Sequence, residues 1–218
     1  MAMTDTFRPL GRTLWHDERS RAFGATLAPE IKTKTHRHYG AVLDQGNLGS
    51  CTGNAMAQAL NTKPLKVKGR TLTEADAVAL YERATEIDPF VGTYPPEDTG
   101  SSGLSVAKAA QERGWITEYR HAFGLDEALA ALTLSPVIVG TNWYSSMFFP
   151  NMDGYVSPLG FVQGGHEYLL LGLDVKKQRV TALNSWGSGW GKKGRFYLTF
   201  DALGTLLAQD GDVGVPVA

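Results

Sequence analysis

Cys51 is the only cysteine in the chain, and its neighbours give it the setting of a nucleophile. It follows Gly49-Ser50, just where Ala55, Met56, Ala59 and Leu60 begin an apolar stripe at helical spacing, so a helix is expected to open at Cys51. Free N–H groups and the dipole at such a helix start favour an anion and draw a thiol toward thiolate. A thiol nucleophile also needs a proton acceptor. His166 supplies a candidate, standing after Gly164-Gly165 at the mouth of the apolar run 167–173. If 167–173 and 179–185 form a hairpin centred near Lys176, His166 lies opposite position 186. Asn184 then falls two residues away on the same face, because strand side chains alternate. An amide there can hold an imidazole in one tautomer. Cys51, His166 and Asn184 can therefore form a nucleophile, its base and the orienter of that base.

The elements that must position them change in type along the chain. Residues 1–38 are polar, Arg-rich and without a period, and are expected to form an extended arm packed along the surface of a domain over 39–218. A glycine-punctuated loop, Asp44 to Ser50, leads into the Cys51 helix with Ser50 as the expected N-cap. A second helix should start at Thr73, where Thr73 and Asp76 resemble a capping box, and stop at Asp88-Pro89. Further helices are expected over about 104–113 and 126–132. From Pro136 the pattern turns to strands, at 137–139, 167–173, 179–184 and 195–200. Helices first and strands second make an α+β layout, with a helical lobe over about 45–132, a sheet lobe over about 133–218 and a cleft between them.

Bulk composition narrows the function. The 218 residues are 43% hydrophobic and 20% charged, with 21 Lys plus Arg against 22 Asp plus Glu. That balance gives no basic face for nucleic acid and no attraction to an anionic membrane. A lone cysteine cannot form an internal disulfide, so a framework stapled by bridges is excluded. No apolar run approaches the roughly 18 residues of a membrane span, and the start Met1 to Pro9 lacks the features of a secretory leader. His36 and His38 lie two apart without cysteines to complete a zinc site, so no metal is expected there. His16 and His121 are expected at the surface, Trp143 in the core or cleft wall, and Lys176-Lys177 in a solvated turn.

Three segments resemble the papain-like cysteine peptidases. Gln45-Gly46-Asn47-Leu48-Gly49-Ser50-Cys51 is similar to the family's nucleophile segment, Gly165-His166 with 168–174 to its histidine strand, and 184–191 with Gly194 to its asparagine segment. They occur in the family's order and span residues 45–200. The resemblance implies a helical N-terminal lobe against a C-terminal antiparallel, barrel-like sheet lobe, with the active site between them. It implies peptide-bond hydrolysis through an acyl-enzyme, with no cofactor and a peptide or protein as substrate. Cys51 would attack, His166 would act as base and then acid, and Asn184 would orient it. Gln45 and the Cys51 N–H would form the oxyanion hole, and Trp186 would shield the His166–Asn184 bond. Gly103 would be a backbone strip for extended substrate, with Gly165, Glu167 and Trp186 also beside it.

The departures are specific. Thr52-Gly53-Asn54 follows the cysteine where the family has Trp-Ala-Phe, so the packing under the helix must differ. Glu167 replaces a small residue, and is expected to line a substrate pocket that favours basic or polar side chains. The arm is too short and irregular for the helical propeptide of secreted relatives. A compact bacterial or phage type is the nearest likeness, which implies a monomer acting in a cytoplasm or a virus particle. Amidase, isopeptidase or transpeptidase chemistry would use the same residues. A non-catalytic peptide-binding pseudopeptidase would have no need of Cys51, His166, Asn184 and Gln45 together.

Overall fold

The computed structural model describes residues 8–218. Positions 1–7 of the expected arm, with most of the stretch on which the expectation of no leader rests, lie outside the described residues. Helices α1 (Cys51–Ala59), α2 (Glu74–Ile87), α3 (Gly103–Glu112), α4 (Gly124–Leu134) and α5 (Phe200–Ala208) accompany strands β1 (Lys34–Thr35), β2 (Glu118–His121), β3 (Val137–Tyr144), β4 (Val162–Asp174), β5 (Arg179–Leu183), β6 (Arg195–Thr199) and β7 (Asp212–Val217). The layout is α+β. The strands form one antiparallel sheet in the order β2-β7-β3-β4-β5-β6, with β1 added to β4. The sheet is open: β2 and β6 remain edges, and the expected barrel-like closure does not occur.

Both faces of the sheet are covered. Ile138, Leu169, Leu171 and Leu183 pack with Met56, Ala59, Leu80 and Val106 of the first three helices. Val137, Val139, Tyr168, Leu170 and Leu173 pack on the other side with Leu129, Leu132, Leu203 and Leu206 of α4 and α5. So α4, which chain order groups with the helical half, belongs to the second face. Leu170 and Leu173 share a face although they are three apart. A bulge between Leu170 and Gly172 explains this, since the extra residue reverses the alternation. The same bulge changes the β4–β5 pairing from Leu173↔Val180 to Leu169↔Leu183. That is the register expected for His166 opposite position 186.

Helix α1 is buried on every side. Gly53 makes this possible: a Cβ there would run into the Ala77 carbonyl of α2 and lie 3.0 Å from the Tyr81 Cβ. Asp76 starts α2 by accepting from the Thr73 N–H at 2.9 Å and the Thr73 hydroxyl at 3.1 Å. Ser50 does not cap α1 with its side chain, but donates to Asn54 Oδ1 at 3.0 Å. The arm is tied down at both ends of its described length. Near the domain, β1 pairs with β4, and the buried His36 contacts the Leu132 carbonyl through Nε2 at 2.7 Å. Among the described residues no helix is long and apolar enough to cross a membrane.

Candidate active site

Cys51 begins α1 and is fully buried. The Glu167 N–H of β4 points at its sulfur, 3.4 Å away. His166, the preceding residue on β4, is also fully buried. Its Nε2 is 2.8 Å from Asn184 Oδ1, and the same oxygen accepts the Ser185 N–H at 2.8 Å. An amide oxygen can only accept, so Nε2 must carry the hydrogen. In the neutral ring Nδ1 is then a bare acceptor. Among the described residues Nδ1 has no hydrogen-bond partner, as a group reserved for a proton from elsewhere would not.

Aromatic rings hold the imidazole. Trp186 lies 4.8 Å from its centroid at 30°, and Trp143 meets it edge-on at 4.8 Å. Phe148 stacks on the far side of Trp186 at 5.5 Å. The Asn184–Trp186 segment is fixed in turn by the loop before Cys51. Gln45 N–H donates to the Ser185 carbonyl at 2.9 Å, and Gly187 N–H to the Leu43 carbonyl at 3.0 Å. The Ser185 hydroxyl donates to Gln45 Oε1 at 2.6 Å. That bond sets the amide so that Gln45 Nε2 faces outward, donating to the Leu48 carbonyl at 2.8 Å and the Pro9 carbonyl at 3.3 Å.

Pro9 belongs to the arm, and residues 9–13 lie in the cleft rather than on the outer surface. Gly11 and Arg12 donate to the Gly165 carbonyl at 3.2 and 3.0 Å, while the Thr13 N–H donates to the Ser101 carbonyl at 2.7 Å and the Ser101 N–H to the Gly11 carbonyl at 2.8 Å. The Gly11 N–H also favours the thiolate form of Cys51. The arm's backbone pairs with Ser101, two residues before Gly103. Gly103 instead opens α3 behind Ser102, beside Glu167 and Asp212.

The thiol's shift runs opposite to the one expected from its helix end. Burial pushes Cys51 up to about 12, outweighing the backbone N–H groups of Glu167, Gly11 and Thr52 that favour the thiolate. Burial likewise draws His166 down to about 4, against the stabilising bond to Asn184. The site thus holds a neutral thiol and a neutral imidazole.

Glu167 is fully buried, and its carboxyl is held well above the ordinary range by burial and by Asp212, with Arg12 pulling the other way. Arg12 and Asp212 carried no sequence signal, since their hydrogen bond spans 200 positions. Ser185 was legible only as part of the asparagine segment. No group of three or more His, Cys, Asp or Glu among the described residues could hold a metal ion. His38 is half-buried, His121 is partly buried on β2, and His16 is exposed.

Solved structures with the same arrangement of helices and sheet include xylellain, a cysteine protease from Xylella fastidiosa. It aligns with a TM-score of 0.76 at 20% identity, over 97% of this chain and 96% of its own. Digestive procathepsin L 3 of Tenebrio molitor larval midgut aligns with a TM-score of 0.65 at 15% identity, over 97% of this chain and 76% of its own. The chain has the papain-like fold. No protein-family model matches it. By sequence it is similar, at 24% identity over 198 residues, to an uncharacterized peptidase C1-like protein of Acanthamoeba polyphaga mimivirus. That match takes in 72% of this chain and 64% of the viral protein. Within the papain-like fold the site lies where α1 meets β4.

Proposed function

We propose that the chain is a papain-type cysteine peptidase that hydrolyses peptide bonds through a Cys51 acyl-enzyme. The observation that carries this reading is the ordered set of contacts from Asn184 through His166 to the β4 backbone on the Cys51 sulfur. Cys51 would pass its proton to the bare Nδ1 of His166 and attack the scissile carbonyl carbon, forming a C–S bond. The oxyanion would sit against Gln45 Nε2 and the Cys51 N–H, taking the place of the Pro9 carbonyl. Imidazolium Nδ1 would then protonate the leaving amine as the C–N bond breaks. In the second half His166 would take a proton from water as it attacks the thioester carbon; the C–S bond would then break, releasing the acid, and the proton would return from His166 to the Cys51 sulfur. Asn184 positions the ring, and the aromatic wall keeps water from its bond.

The test is hydrolysis of a mixed peptide library under reducing conditions, read by mass spectrometry, with wild type beside Cys51→Ser and His166→Ala. New peptide termini from wild type alone support the reading. Acyl transfer to added amines without net hydrolysis would move the assignment to a transpeptidase. No turnover by wild type, even once residues 9–13 are displaced, would remove the peptidase reading.

A further inference from the structure

Arg12 is a long cationic side chain carried by the segment that crosses the nucleophile, yet it is only 7% exposed. Its Nε donates to Asp212 Oδ1 at 2.9 Å, and its Nη2 pairs with the same carboxylate and donates to the Asp210 carbonyl at 2.7 Å. We propose that the pocket formed by Glu167, Asp212, Gly103 and Gly140 is a recognition site for an arginine or lysine side chain, and that Arg12 fills it as a tethered competitor of substrate. What is excluded rests on the peptidase reading; the pocket's chemistry does not.

Three features make this a built site. First, two carboxyl groups face one guanidinium. Glu167 is fully buried, and neither of its oxygens has a hydrogen-bond partner among the described residues. An acid buried without donors is costly and is relieved by a cation nearby. Burial opposes the charge on Arg12, but Asp212 and Glu167 outweigh it and hold the guanidinium ionised. Second, the walls are glycine where they must be. A Cβ on Gly103 would stand 2.7 Å from Glu167 Oε1 and 3.0 Å from Asp212 Oδ2. One on Gly140 would meet Arg12 Nε and Glu167 Oε2, and would lie 2.7 Å from Asp212 Oδ1.

Third, the slot beside the pocket is shaped for a polypeptide backbone. A Cβ on Gly49 would lie 3.0 Å from the Leu10 carbonyl oxygen. Cβ atoms on Gly100 and Gly165 would approach the Gly11 and Arg12 carbonyls. A chain lying there receives main-chain bonds from Ser101 and Gly165, passes over Cys51, and sends one side chain toward Glu167 and Asp212. Past Asp212 a cavity of about 430 Å³, lined by Trp15, Tyr119, His121 and Gly214 among others, leaves room behind the pocket. Arg12 and a basic residue of substrate cannot share the pocket.

The test reads access to Cys51, the one thiol, by its rate of alkylation with iodoacetamide in the full chain. Arg12→Ala should be alkylated about ten- to a hundredfold faster than wild type, because it loses charge-assisted bonds that hold the segment. Arg12→Lys should stay near the wild-type rate. Arg12→Met, which keeps the aliphatic stem without the charge, serves if the alanine variant does not fold. Acetyl-argininamide should then slow alkylation of the opened variant, whereas acetyl-leucinamide should not. Wild-type rates in both folded variants, or equal effects of the two amides, overturn the proposal. If neither Arg12 variant folds, Asp212→Asn carries the test: faster alkylation supports the proposal and an unchanged rate overturns it. Protection by the arginine probe without peptide hydrolysis would leave the pocket standing and remove the peptidase reading.

Discussion

His166 and Glu167 are neighbours on one strand, both fully buried, yet they serve environments of opposite kind. His166 turns toward Trp143, Trp186 and Tyr168, where its side chain's hydrogen bond among the described residues is to an uncharged amide oxygen. Glu167 turns toward Arg12 and Asp212, where the contacts are charges. The period of two along β4 separates the two environments. An aromatic box fixes a ring and its tautomer, which is what proton transfer needs. A pocket with an excess of carboxyl groups selects for charge, which is what discrimination between side chains needs. In the proposed function, one face of β4 performs the chemistry and the other decides which chain may enter.

Changes on the two faces should therefore fail differently. His166→Ala should lower kcat/KM by at least about a thousandfold on every peptide, measured by initial rates, because the base is lost outright. A loss confined to arginine-containing peptides would break the distinction. The His166 environment should also show in stability. Its imidazole is held down from 6.5 to about 4, so the unfolded chain binds the proton more readily, and folding stability falls as pH drops through that window. The expected loss is up to about 3 kcal/mol between pH 7 and pH 4, from denaturant midpoints, and His166→Gln should remove that share. An equal loss in His166→Gln would contradict the shift.

Gln45→Ala should cost about a hundredfold in kcat with KM little changed, as expected when one oxyanion donor is removed. A change carried by KM alone would mean that Gln45 serves only to hold the loop through Ser185. The smallest effect is expected at Glu167. Glu167→Gln should reduce the preference for arginine over leucine in library peptides about tenfold, through KM. A uniform fall in kcat on both peptides would place Glu167 in the chemistry instead of the selection.

The chemical face was largely legible in the sequence, and the selective face was not. Cys51, His166, Asn184 and Gln45 stand in short segments whose order and spacing carry meaning. Strand alternation alone puts Asn184 beside His166 in a hairpin, and the bulge at Leu170 to Gly172 supplies the register this needs. The acidic pocket joins Arg12 to Asp212 across nearly the whole chain, and Asp212 heads β7, a strand hidden by Gly214 and Pro216. β2 escaped as well, because its Glu-Tyr-Arg-His run is half-buried and polar. β3 continues to Tyr144 through Gly140 and Asn142, which interrupt the apolar pattern. The family resemblance puts Glu167 beside a substrate pocket and its charge suggests a basic preference, but neither points to Asp212 or to the internal guanidinium. The thiol was expected to be acidified by its helix end. Its complete burial, visible only in three dimensions, dominates instead.

The central claim is that Cys51 is a nucleophile serving a peptide-binding cleft, and intact mass tests it directly. Wild type, Arg12→Ala and Cys51→Ser would be incubated with a peptidyl epoxysuccinyl inhibitor under reducing conditions. The account predicts one stoichiometric adduct on wild type, faster formation on Arg12→Ala, and none on Cys51→Ser. A folded Arg12→Ala that takes no adduct, while iodoacetamide still modifies its thiol, would contradict it.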